Sequence, residues 1–155
     1  MLKSAVLVLL LAAASPAHAS DWFYVDSSKD LSNISFVDKD SIRQNADGNS
    51  VASMYSVLAE EEDGAVAYRF TIEVECRSRK SHLVAAEIFD PKLVSGGITD
   101  MNGDWEPVDP GTQGDTITAF ICSKGANATV ASAGSALPFD KGRAMLAEMR
   151  AKEGK

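Results

Sequence analysis

Val66-Ala-Tyr-Arg-Phe-Thr-Ile-Glu-Val-Glu-Cys-Arg77 alternates apolar and polar residues along its whole length. Side chains of a strand point to opposite faces with a period of two. Val66, Tyr68, Phe70, Ile72, Val74 and Cys76 therefore share one face, and Ala67, Arg69, Thr71, Glu73, Glu75 and Arg77 the other. The pattern predicts a strand with a core side and a wet side, as in an antiparallel sheet, with Cys76 directed inward.

Before this strand, Glu60-Glu61-Glu62-Asp63-Gly64 reads as an acidic turn, and Val51 to Leu58 alternates again, so another strand precedes it. Trp22 to Val25 and Ile34 to Val37 are short β-favouring runs around a Ser/Asp/Asn-rich turn, an early hairpin. Asp38 to Ile42 reads as a polar turn or one turn of helix, which the Asp38 side chain can cap. After it, Ser78 to Ser81 is a short basic turn leading into an antiparallel strand, His82 to Phe89. Asp90 to Gly111 is broken by Pro91, Gly96, Gly97, Gly103, Pro107 and Pro110, which predicts a long surface connection with Trp105 as its one large apolar anchor.

Asp115 to Ser123 has strand-favouring residues but helical spacing of Ile117, Phe120 and Ile121. Asp115 stands where a cap or first-turn acid belongs, and Gly125 where a helix stops. Helix is the preferred reading. The sequence thus predicts an α+β domain over 20–124, a small antiparallel sheet of about five strands flanked by a helix. An Ala/Ser/Gly-rich flexible linker over 125–138 and a basic amphipathic tail helix over 139–155, with Met145, Leu146 and Met149 as its apolar stripe, follow.

Residues 1–19 read as a cleavable signal peptide. Lys3 gives a positive start, an apolar run extends to Ala14, and Ala17 and Ala19 are the small residues before the cut. The run is shorter than the roughly 20 residues a membrane-spanning helix needs, so no membrane insertion is expected. The protein is expected in the periplasm, in the medium or at the cell surface. In such an oxidising setting the two cysteines, Cys76 and Cys122, read as a disulfide. It would close a loop of about fifty residues, worth roughly 4 kcal/mol in the chain-entropy model.

A net charge of −7 argues against nucleic acid and anionic lipid as main partners, since both need clustered Lys and Arg. Of two histidines only His82 lies beyond the leader, too few for a histidine metal site, and its surroundings of Arg79, Lys80 and Ser81 predict a solvated ring. Glu73 and Glu75 read as an exposed ladder balanced by Arg69 and Arg77. Asp100, Asn102 and Asp104 have the spacing that opens a calcium loop, without the glutamate that closes one. No cofactor motif is present. The remaining candidate is a basic cluster, Arg77, Arg79, Lys80 and His82, at an exposed turn of an acidic body, suited to a protein partner of opposite charge. Trp105 either anchors its own loop or joins that surface.

Trp22 after the leader, Val37-Asp38-Lys39-Asp40-Ser41-Ile42, the strand reaching Cys76 with basic residues after it, Trp105-Glu-Pro-Val-Asp-Pro-Gly-Thr-Gln-Gly114 and Cys122 stand in an order that resembles the surface-adhesin protein E-like family. The resemblance covers Asp21 to Cys122. It implies a small antiparallel sheet flanked by a helix, joined cysteines, and a non-enzymatic exported module. The member that names the family looks like an outer-surface adhesin for host matrix and serum proteins. The chain departs from the family in its tail after Gly125 and in having no cysteine just after the leader's apolar run, where a lipoprotein is attached. Beside the binding-module reading stand an envelope-maintenance protein acting through the Met145/Leu146/Met149 stripe and, third, a carboxylate-based hydrolase.

Overall fold

The computed structural model describes residues 19–154, so residues 1–18 of the expected leader lie outside the described residues. The elements follow as β1 (Trp22–Ser27), β2 (Asn33–Gln44), β3 (Ser50–Glu62), β4 (Ala65–Glu75), β5 (Lys80–Phe89), β6 (Ser95–Asp100), β7 (Glu106–Pro107), α1 (Gln113–Cys122) and α2 (Phe139–Glu153). Strands β1 to β6 form an antiparallel meander in chain order, and β7 pairs beside the start of β5. The class is α+β, as expected.

The strands beyond the expected five, β6 and β7, fall within Asp90 to Gly111, which had read as irregular. All six residues of β6 are exposed, so neither of its faces packs on a core and no alternation marks it. Its pairing rests on the backbone ladder to β5. That ladder shifts between Glu87 and Phe89, beside Gly97 at φ +91°, a bulge of the kind that blunts an open edge. Asp38 to Ile42 is also corrected: the chain stays in β2. Its register with β3 passes from Asp38 opposite Ser53 to Arg43 opposite Val51, so residues 39–42 bulge outward. Asp38 Oδ1 accepts from the Asp21 and Asp40 amides at 2.9 and 3.1 Å, capping a bulge instead of a helix.

Helices cover both faces of the sheet, so the expected wet face is not wet throughout. On one face Val37, Met54, Ala52, Ile72 and Val74 pack under Ile117, Phe120 and Ile121 of α1. The segment read as a helix from its spacing is α1, capped by the Thr112 hydroxyl, which accepts from the Asp115 amide at 3.3 Å. On the other face Ile34, Phe36, Tyr55, Val57, Ala67 and Phe89 pack with Leu146 of α2. Here β4 contributes a fully buried Ala67 and an Arg69 paired with the buried Glu87. An apolar residue and a neutralised charge replace the solvated row.

The tail stripe is therefore spent within the molecule. Leu146 is 1% exposed, and Met145 and Met149 pack against the same core. This removes the observation behind the envelope-maintenance reading, which needed that stripe free for another protein. Residues 125–138 carry no regular element, yet Ala133 and Gly134 exchange backbone hydrogen bonds with Trp22 at 2.6 and 3.1 Å. The chain thus pairs with β1 at the strand's first residue.

Candidate functional site

The site is built where β4 turns into β5. A four-residue turn, Cys76 to Arg79, sets Glu75 opposite Lys80, Val74 opposite Ser81 and Glu73 opposite His82. Cys76 at the end of β4 is bonded to Cys122 in the last turn of α1, with an S–S distance of 2.03 Å and a Cα–Cα distance of 5.7 Å. The pairing is as expected, and Cys76 lies on the face of β4 that α1 covers, with Ile72 and Val74, but it is not buried. Cys76 is exposed, because the strand has run past the core by that point, and Cys122 is half-buried.

The four basic residues of the turn separate into two kinds. Arg77 and Lys80 are exposed and make no ion pair or side-chain hydrogen bond among the described residues. Arg79 is at φ +54° and its guanidinium is bound to Asp115 in the first turn of α1. Asp115 also accepts from the Gly111 amide at 2.8 Å, and the Arg79 carbonyl accepts from Val108 at 2.9 Å. The Gly111 amide, aided by Arg79, holds the Asp115 carboxyl below the usual range against a smaller opposing effect of burial.

His82 is not the solvated ring the sequence predicted. Its side chain is 16% exposed, with Nε2 3.2 Å from Glu73 Oε2 and Nδ1 3.0 Å from the Gly103 carbonyl. The other Glu73 oxygen accepts from the side-chain amides of Asn45 at 2.7 Å and Asn49 at 2.8 Å. Burial pushes the Glu73 carboxyl up, but donation by Asn49, Asn45 and His82 outweighs it and holds the group below its ordinary value. Glu73 is thus a fixed anion within the sheet, which corrects its reading as part of an exposed ladder.

The Trp105 ring lies over His82 with centroids 4.2 Å apart, and remains 39% exposed. Both readings of Trp105 meet here: it anchors the segment between β6 and β7 and still shows a face to solvent. A cleft of about 210 Å³ opens beside it, lined by His82, Met101, Asp104 and Glu106 among others. A larger hollow of about 380 Å³ lies among Asp30, Leu58, Glu60 and Arg150. No group of three or more His, Cys, Asp or Glu among the described residues is placed to hold a metal ion. No described helix is long and apolar enough to cross a membrane.

Sequence reasoning missed Glu73, Asn45, Asn49 and Asp115. Glu73 escaped because composition marks the turn at Ser78 to Ser81, which sets Arg77 opposite His82, whereas the observed turn, Cys76 to Arg79, sets Glu73 there. The two asparagines arrive from the turn between β2 and β3, and Asp115 from a helix far along the chain; neither leaves a local signal.

No curated protein and no solved structure matches the chain. Residues 22–123 match the family model described as surface-adhesin protein E, from the first residue of β1 to the cap of α1, and the chain belongs to that family.

Proposed function

We propose that the protein is an exported, non-enzymatic binding module of adhesin type, and that it holds a protein partner at the end of the sheet formed by the β4–β5 turn. Membership of the surface-adhesin family supports the class of function. The observation that carries the site is the pair of unpartnered, exposed cations at the β4–β5 turn, Arg77 and Lys80, with Lys80 opposite Pro107, two residues from the half-exposed Trp105. An aromatic ring and cations beside it are the residue types that dominate protein interfaces, and cations on an acidic body select an acidic surface. Arg79 and His82 serve a different purpose in this reading. Their side chains are engaged by Asp115 and Glu73, so they hold the turn and the Trp105 segment in place.

The test is binding of the purified, oxidised protein to immobilised host matrix and serum proteins at low and at physiological salt. Recognition through Arg77 and Lys80 weakens as salt rises, because exposed charges are screened over about 8 Å at 0.15 M ionic strength. Binding that ignores salt, or no binding to any member of the panel, contradicts the proposal.

A further inference from the structure

His82 stands between two groups that only accept hydrogen bonds. The Gly103 carbonyl faces Nδ1 and the Glu73 carboxylate faces Nε2. A neutral imidazole carries one N–H and can donate to one of them; only imidazolium donates to both. Glu73 cannot supply the missing proton, because its other oxygen already takes two amide donors and its carboxyl is held in the ionised form.

The formal charges around the ring are mostly negative. From β4 comes Glu73, from the segment between β6 and β7 come Asp104 and Glu106, which line the same cleft, and from β5 comes one opposing charge, Lys80. The β2–β3 turn contributes only the neutral Asn45 and Asn49. Trp105 presents its ring to His82, and an aromatic face attracts a cation.

Apart from His82, residues 101–105 are joined to β5 through backbone hydrogen bonds. The Gly103 amide reaches the Leu83 carbonyl at 3.3 Å, near the long limit for such a bond, and Met101 bonds to Val84 at 2.9 Å. The next tether is the two-residue β7.

We infer that His82 is a proton-operated latch: as imidazolium it ties Gly103 and Trp105 to Glu73 of β4, and on loss of one proton the single remaining N–H stays on the Glu73 carboxylate, the stronger acceptor, so that Gly103 and the Trp105 ring are released from the histidine. The latch is closed where the ring carries both protons and open where it has lost one. Its effect on a partner rests on the binding surface proposed above, while the latch itself does not.

The experiment follows the imidazole nitrogens of His82 and the indole N–H of Trp105 by NMR from about pH 5 to 8, with iodide quenching of indole fluorescence alongside. Trp22 is 2% exposed and gives a quiet background. The expected result is two protonated ring nitrogens and a shielded indole at low pH, with both signals changing at one midpoint and quenching increasing above it. His82→Gln retains an amide donor but has no titrating group, and its Trp105 signals should not respond to pH. A ring neutral at every pH, a Trp105 transition with a midpoint unlike that of His82, or a transition surviving in His82→Gln overturns the latch. Titration that proceeds as expected while partner binding ignores pH leaves the latch standing and removes Trp105 from the proposed contact surface.

Discussion

Arg79 in the turn after β4 is bound to Asp115 in the first turn of α1, so one member of the basic cluster joins the sheet to the helix. The folded Asp115 has a lowered pKa, and its contribution to stability is therefore present above the unfolded carboxylate value of about 4 and lost as pH falls through the folded value. Melting temperatures between pH 7 and acid should fall less steeply for Asp115→Asn than for the natural protein. Parallel curves would show that the pair contributes nothing.

Gly142 of α2 lies so close to β3 that a Cβ placed there comes within 2.8 Å of Val57 Cγ2 and 3.2 Å of Phe36 Cε2. Alanine would improve helix propensity by about 1 kcal/mol, but overpacking at such a contact costs roughly 1–3 kcal/mol. Gly142→Ala should lower the urea midpoint and speed amide exchange in 139–153. A stabilised variant would mean that α2 does not sit against Val57.

The disulfide joins the end of β4 to the end of α1, and its Cys76 side is open to solvent. Paired Cys76→Ser and Cys122→Ser substitutions should cost about 4 kcal/mol in urea unfolding, by the loop-entropy argument. Because Cys76 is accessible, a mild reductant should reproduce the loss without prior denaturation. An unchanged midpoint in either experiment contradicts the bridge as a main staple of the fold.

Much of the sheet was legible because alternation survives wherever one face of a strand meets a helix. β3 and β4 declare themselves in this way, but the register of the β4–β5 hairpin does not, because its turn falls at Cys76 to Arg79, two residues before the Ser78 to Ser81 that composition marks. β6 hid because its side chains touch no core and its order comes from the backbone. The polar residues on the second face of β4 misled for another reason. Alternation reports which side chains are polar, and local periodicity reveals neither the pairing of Arg69 with Glu87 nor the enclosure of Glu73 by Asn45, Asn49 and His82. The tail stripe was visible, but its destination on Phe36 and Val57 was a long-range fact. Of the candidate residues, Arg77 and Lys80 lie exposed at the turn and Trp105 lies over His82, whereas Arg79 and His82 have structural partners no spacing announces.

The most direct test compares two variants at the same turn against whichever matrix or serum protein the natural chain holds. In Arg77→Ser/Lys80→Ser the exposed cations are removed and no described contact is broken, so the melting temperature should be retained and binding lost. In Arg79→Ser the ion pair to Asp115 is removed, so the melting temperature should fall while the folded protein still binds. Loss of binding in the second variant with full binding in the first would contradict the account, because it would place recognition on the residue the fold has already engaged.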